Sequence, residues 1–165
     1  MEEIRGWFSG RLPDEWFEGA PEVSIDREEI VVVGRLAVPD TEENESAQRA
    51  AEAGRIKRFR EDTRRQRMRL ADEAESRFGR KVAWGASCGE TTQVFTSLSV
   101  PVMTRLRQAE RQVLDTLVEA GVARSRSEAL AWSVRLVGQH QREWIEELRE
   151  ALVAVEAARA GGPTP

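Results

Sequence analysis

The chain has 165 residues, 40% of them hydrophobic and 33% charged, with a formal net charge of −4. That length and apolar content suffice for one domain, or for a small domain plus an extension. A single Cys and a single His exclude an internal disulfide and leave no ligand set for zinc or haem, no apolar run reaches membrane-spanning length, and the acidic start MEEIRG is not a signal peptide, so the expected setting is a reducing cytoplasm without metal or membrane.

The charge is segregated along the chain. Residues 1–48 carry four basic and thirteen acidic side chains, residues 49–69 carry nine basic and three acidic, and the remainder is close to balance. Asymmetry of this kind points to a nucleic-acid contact or to an acidic shield inside the protein.

The first region, 1–38, opens with two aromatic pairs, Trp7-Phe8 and Trp16-Phe17, separated by Gly10 and Pro13. It reads as an irregular or short-helical aromatic lid. Val23–Ile25 and the β-branched run Ile30–Val33 read as two strands joined through Asp26–Glu29. Exposed aromatic pairs can stack on bases; the reading favoured here is that they cover the sheet as a small core, since such side chains dominate burial. An acidic linker, 39–47, follows, with no apolar side chain in Asp40–Ser46.

In the next region, 48–93, a stretch without Pro and rich in Arg, Glu, Ala and Gln predicts one long helix running to Phe78. Arg55, Lys57, Arg58, Arg60, Arg64, Arg65, Arg67 and Arg69 surround much of it. Arg58, Arg64, Arg65 and Arg67 are the candidate secondary nucleic-acid contacts, each phosphate bound releasing counterions. The competing reading, slightly favoured, is a solvated face whose charges pair with the acidic N-terminal region or with nearby Glu residues.

Lys81–Trp84 predicts a short strand, and Gly85-Ala86-Ser87-Cys88-Gly89 then matches the G-x-S-x-G form of a hydrolase nucleophile elbow. The elbow needs a following helix, yet Glu90–Thr96 favours strand, and the one available base, His140, lies on a charged helix. A Gly-bounded turn between two strands is the better reading. A reactive Cys88 thiolate meets a similar objection, though Arg80 and Lys81 are close in sequence and could lower its pKa. No enzyme and no cofactor are expected.

In the region 94–137, apolar residues alternate at Leu98, Val100, Val102 and Leu106, with Thr104 keeping the parity, which is the period of a half-buried strand. From about Gln108 the period turns helical through Val113, Leu114, Leu117 and Val118. Gly121 suits a left-handed helix cap. Ser125 and Glu128 fit a capping box that opens a second helix, with Leu130, Val134 and Val137 on its apolar face. A strand with two helices cannot bury its own apolar faces, and a second copy of the chain is the simplest cure.

The stretch GVARSRSEALAWSV at 121–134, a Gly followed by S-R-S-E and an apolar helix, resembles the ribbon-helix-helix family, the Arc/MetJ class of dimeric DNA-binding proteins. TRLRQAERQVLDTLVEAG at 104–121 matches the strand end and first helix more loosely. The resemblance implies a homodimer with a two-stranded ribbon in the major groove of double-stranded DNA. By parity, Met103 and Arg105 then face outward, with Ser99 and Arg107 at the ends of the row. Arg105 is the best base reader, because its planar fork can bind guanine O6 and N7 together. Phosphate contacts would fall at Arg124, Ser125, Arg126 and Ser127, at the second helix's N-terminus. Pro101 cannot donate to a ladder and is tolerable only where its missing N–H faces outward or at the strand's start.

Past Val137 the apolar stripe continues as a helical extension, 138–159, through Gln141, Trp144, Leu148, Ala151 and Val155 in coiled-coil steps. Gly138 is a point of bending. Residues 160–165 read as a frayed tail. The fold class expected is α+β. The function expected is that of a sequence-specific, dimeric transcriptional regulator in the cytoplasm, at the nucleoid. The alternatives are a non-enzymatic helical scaffold or adaptor, and an RNA- or ribosome-associated factor using the basic 55–69 helix.

Overall fold

A parallel pair of strands cannot be joined by a hairpin; it needs a crossover of a dozen or more residues. The computed structural model, which describes residues 1–40 and 44–161, is built around such a pair. In chain order the elements are α1 (Glu2–Arg11), β1 (Glu22–Ile25), β2 (Glu29–Arg35), α2 (Glu45–Asp62), α3 (Arg64–Phe78), β3 (Lys81–Cys88), β4 (Thr91–Val94), α4 (Gln108–Glu119), α5 (Arg126–His140) and α6 (Arg142–Ala160). The class is α+β, as expected. The expected linker falls partly, at 41–43, outside the described residues, and so does the expected frayed tail at 162–165. Among the described residues no helix is long and apolar enough to cross a membrane.

The elements form two compact units, Met1–Pro101 and Val102–Pro165. In the first, the four strands lie in the order β1-β2-β3-β4. The two outer pairs are antiparallel, and β2 runs parallel to β3 from Glu29↔Lys81 to Arg35↔Ser87. The crossover is α2–α3. Asp26 Oδ1 shapes the β1–β2 turn by accepting the N–H groups of Glu28 (2.9 Å) and Glu29 (2.7 Å). Period-2 alternation sends Ile30, Val32 and Trp84 to one face, where Phe8 of α1, Leu70 and Ala74 of α3, and Trp16 close a single core. Leu36, Ile56, Ala86 and Cys88 form a smaller cluster beside it.

The two aromatic pairs pack into this core. Phe8 meets Trp84 edge-on at 5.9 Å, and Trp16 meets Phe59 at 5.6 Å and Trp84 at 6.1 Å. These are the spacings aromatic rings prefer. The segment foreseen as an irregular or short-helical lid is a ten-residue helix followed by a packed turn.

Three expectations are corrected. The single long basic helix is two helices broken at Thr63, whose backbone leaves helical geometry at φ −93° and ψ 0°. The Thr63 hydroxyl donates to the Phe59 carbonyl at 2.6 Å, and Arg67 reaches back to donate to the Arg60 carbonyl at 2.6 Å, taking an acceptor the continuous helix would use. The strand expected at Lys81–Trp84 runs on to Cys88, so four residues of the supposed turn are paired strand and the reversal falls at Gly89, which has φ +56°. The C-terminal helix is not one bent rod: α5 ends at His140 and α6 begins at Arg142, with the break at Gln141 rather than at Gly138.

In the second unit, α4 ends in a Schellman motif. Gly121, at φ +75°, donates to Val118 O at 3.0 Å, and Val122 donates to Leu117 O at 3.0 Å, serving two otherwise orphaned carbonyls. Leu114, Ala123 and Ala129 are its buried apolar residues, flanked by Leu106, Leu117, Val118 and Leu130.

Because Phe8 is 0% exposed and touches both Trp7 and Trp84, Phe8→Ala is expected to cost about 3–5 kcal/mol. Urea unfolding followed by Trp fluorescence measures this; a cost under about 1 kcal/mol would contradict the placement of α1 in the core.

Candidate nucleic-acid interface

The row expected to read bases precedes α4. Residues 96–107 carry no regular secondary structure, and their one backbone bond to a side chain in the first unit is Leu98 N–H to Glu29 Oε1 at 3.2 Å. A strand is defined by its ladder, and the single chain supplies none here. The alternating segment foreseen as a strand therefore stands unpaired. Ser99 falls in the first compact unit, and Met103, Arg105 and Arg107 fall in the second. All four are exposed, Met103 at 97%. Arg105 has no carboxylate partner among the described residues, so its guanidinium is free to bind. Arg107 caps α4, its N–H donating to the Glu110 carboxylate. Arg111 donates to the Leu106 carbonyl at 2.6 Å, which holds the end of the row against the helix.

The start of α5 is built as the capping residues foretold, with one difference. Ser125 Oγ accepts the Glu128 N–H at 3.2 Å, but the Glu128 carboxylate reaches past Ser125 to the Arg124 N–H at 2.8 Å. It also takes the Arg124 guanidinium at 3.1 and 3.2 Å. Arg126 makes a forked pair with Asp115 of α4 at 2.6 and 2.7 Å. Both arginines proposed for phosphate are thus already partnered by carboxylates, and an incoming phosphate must compete with them. What stays open is the helix end itself: the Arg126 and Ser127 N–H groups precede the first intrahelical acceptor, and Ser127 is exposed.

The basic helices divide differently. None of the eight ion pairs among the described residues involves a side chain between 55 and 69. The pairing foreseen between this stretch and the acidic N-terminal region is made instead by its neighbours, Arg11–Glu73 at 2.8 Å and Arg77–Glu3 at 2.9 Å. Arg58, Arg64 and Arg65 are exposed cations. Arg67 is not a surface contact: it is 6% exposed. Its Nε donates to Thr63 Oγ1 at 2.9 Å, and its guanidinium lies 4.8 Å from the centre of the Phe95 ring. Burial first, and then the charges of Arg60 and Arg64, push its pKa down to about 10. Sequence reasoning counted its charge without foreseeing its burial, and it passed over Arg60, which also stands over Phe95 at 5.6 Å.

Ser87 and Cys88 do not sit at a strand-to-helix elbow. Both lie in β3, and Cys88 is buried with its thiol donating to the Ala37 carbonyl at 3.6 Å. Burial, followed by the charges of Glu52 and Glu18, raises its pKa. The lowering foreseen from Arg80 and Lys81 is absent: Arg80 donates to the Asp26 carbonyl at 2.8 Å, and Lys81 pairs with Glu75. Glu52 holds the β3–β4 reversal, with its carboxylate accepting from Thr91 Oγ1 at 2.7 Å. A Cβ on Gly89 would stand 2.1 Å from Glu52 Oε1, so both the left-handed φ and the close approach require glycine there. Among the described residues no group of three His, Cys, Asp or Glu side chains is placed to hold a metal.

The molecule is thus an α+β protein of two units, one a helix-covered mixed sheet and the other helical, joined by an unpaired segment. The chain belongs to the Rv1265-like protein family, whose N-terminal domain matches residues 2–94. Residues 107–159 match the Mb1296 C-terminal domain. Similar proteins are the uncharacterized proteins Mb1296 of Mycobacterium bovis and Rv1265 of Mycobacterium tuberculosis. Each is 60% identical over 157 residues, which cover 95% of this chain and 69% of the relative. No solved structure matches the chain. Neither domain description names a ribbon-helix-helix protein, and the segment 95–106 falls between the two matched domains.

The carboxylates of Glu52, Asp115 and Glu128 are all held below their ordinary values, chiefly by the hydrogen bonds from Thr91, Arg126 and Arg124 respectively. A depressed folded pKa gives stability that is present above the ordinary value and lost as pH falls through the folded one. The melting temperature should therefore hold from pH 7 to about 5 and fall in more acid solution. Glu52→Gln should flatten that acid limb; identical limbs in variant and wild type would show that this carboxylate contributes nothing.

Proposed function

We propose that the chain is a sequence-specific DNA-binding transcriptional regulator that acts as a ribbon-helix-helix dimer, working in the cytoplasm at the nucleoid. The observation that carries this reading is the unpaired, apolar-alternating segment ending at Leu106, set directly before two helices joined by a glycine cap and opened at Ser125. In the second unit three apolar residues are buried, while Val102, Val113, Val134 and Val137 remain exposed. So small a core is marginal by itself, and a second copy would cover those faces and complete the ladder of the segment. In such a ribbon Met103 and Arg105 lie on the face opposite Val102 and Leu106, where the major groove admits a two-stranded element. Arg105 then selects guanine, and the open N–H groups at the start of α5 fix the register on a phosphate.

A second reading, a helical scaffold or adaptor, is supported by α6, which buries none of its residues and exposes Trp144, Leu148, Leu152 and Val155.

Arg105→Ala tests the first reading. Chromatin pull-down across the genome should give discrete sites for the wild type that the variant loses or redistributes. On the selected sites the variant should lose about 1–3 kcal/mol of discrimination. Identical profiles for the two proteins would remove the ribbon mechanism.

A further inference from the structure

The break between α2 and α3 gathers charge without neutralising it. Arg67 is buried, and its hydrogen bonds go to neutral acceptors, Thr63 Oγ1 at 2.9 Å and the Arg60 carbonyl at 2.6 Å. Arg60 and Arg67 share the Phe95 ring, at 5.6 and 4.8 Å. Arg64 lies close enough to add its field to that of Arg60 at Arg67. Glu61 and Asp62 adjoin these residues in sequence, yet neither makes an ion pair with them.

Taking a guanidinium out of water is costly unless an anion or a full set of acceptors meets it. Crowding two more cations around it raises that cost. The ring face and two neutral acceptors offset only part of this. An external anion supplies the rest, and the surroundings say which kind. Lys57, Arg58, Arg65 and Arg69 are exposed on the same two helices and take part in no ion pair among the described residues. From residue 55 to residue 69 this is about 20 Å of helical contour. A free phosphate satisfies one cluster; exposed cations spread over both helices suit a polyanion, which can meet several of them at once.

We propose that the α2–α3 corner is a phosphate-binding surface for duplex DNA. Arg60 and Arg64 contact the backbone, and Arg67, clamped on Phe95 and Thr63, is the positioning residue that holds Arg60 in place. The proposal rests on the nucleic-acid reading above but not on the ribbon, because every residue in it belongs to the first compact unit. Its contacts carry no sequence information and add affinity to whatever site the second unit selects.

The test uses the full chain and a fluorescein-labelled 20-bp duplex of arbitrary sequence, with affinity measured by anisotropy across a range of salt. Both target arginines are exposed, so Arg60→Gln/Arg64→Gln should melt like the wild type. It should lower the slope of log affinity against log salt by about two, close to one for each phosphate no longer neutralised. Arg60→Lys/Arg64→Lys should keep the wild-type slope. An unchanged slope in the Gln variant overturns the proposal, as does the same drop in slope with an unstructured RNA oligonucleotide that outcompetes the duplex. Arg105→Ala separates the two readings. If it abolishes site discrimination while the Gln variant keeps its slope, the ribbon stands and this surface fails. If the Gln variant loses slope while Arg105→Ala changes nothing, the surface stands and the ribbon fails.

Discussion

The parallel pairing of β2 with β3 is the constraint on which the N-terminal unit depends. Seven residue pairs join the strands, and strands pointing the same way oblige the chain to cross from one end of the sheet to the other. The α2–α3 segment is that crossover. Its apolar residues Ile56, Leu70 and Ala74 are taken by the sheet, so the remaining faces of the two helices must be polar. Of the nine basic residues between 49 and 69, all but the buried Arg67 are therefore displayed, wholly or in part, by the topology itself. Without the parallel pair, both the core and the surface on which the cations stand would go.

A second constraint governs residues 96–107. Backbone N–H and C=O groups need partners, and an apolar face needs cover. Within the chain Leu98 N–H bonds to Glu29 and the Leu106 carbonyl accepts from Arg111, but among the described residues no ladder pairs the segment, and Val100 and Val102 stay exposed. Water can serve the backbone, but it cannot serve Val100 and Val102 together with the exposed valines of α4 and α5. Self-association is the simplest solution, because the same contact would pair the segment and thicken a core of only three buried apolar residues. The ion pairs of Arg124 with Glu128 and of Arg126 with Asp115 modify the mechanism that the ribbon-helix-helix resemblance implies. They fix the start of α5 in the free protein, and they place carboxylates where a phosphate would come. On the proposed reading, phosphate binding there would be an exchange of partners, with α5's own N–H groups as the uncontested part.

How much of this was legible in the sequence depends on the range of the interactions involved. Val23–Ile25, Ile30–Val33, the cap at Gly121 and the opening of α5 at Ser125 are written in local chemistry: β-branching, left-handed geometry and a side-chain oxygen within three residues. The aromatic pairs were readable as core because their area leaves few other places for them. The break at Thr63 was not readable, since it is made by Arg67 reaching back over seven residues while resting on Phe95, a contact set by the tertiary fold. The length of β3 was hidden for a similar reason. Gly85, Ala86 and Ser87 look like a turn until a parallel neighbour far away in sequence pairs with each of them. Arg80 and Lys81 are near Cys88 in sequence but bonded elsewhere, so the lowering they could have given its thiol does not arise, and burial decides its pKa. Of the candidate site, Ser99, Met103, Arg105 and Arg107 are exposed, but so are Val100 and Val102 of the opposite parity, so the alternation does not decide exposure within one chain; the neutralisation of Arg124 and Arg126 was not legible, because periodicity says nothing about which carboxylate stands opposite.

Everything proposed for the second unit turns on whether residues 98–106 are one half of a ribbon shared by two chains. Amide hydrogen exchange of this segment, followed while the protein is diluted, measures that directly. Protection at high concentration that disappears in step with dissociation is the expected result. Exchange at the unprotected rate at every concentration, including those at which the protein is a dimer, would contradict the shared ribbon.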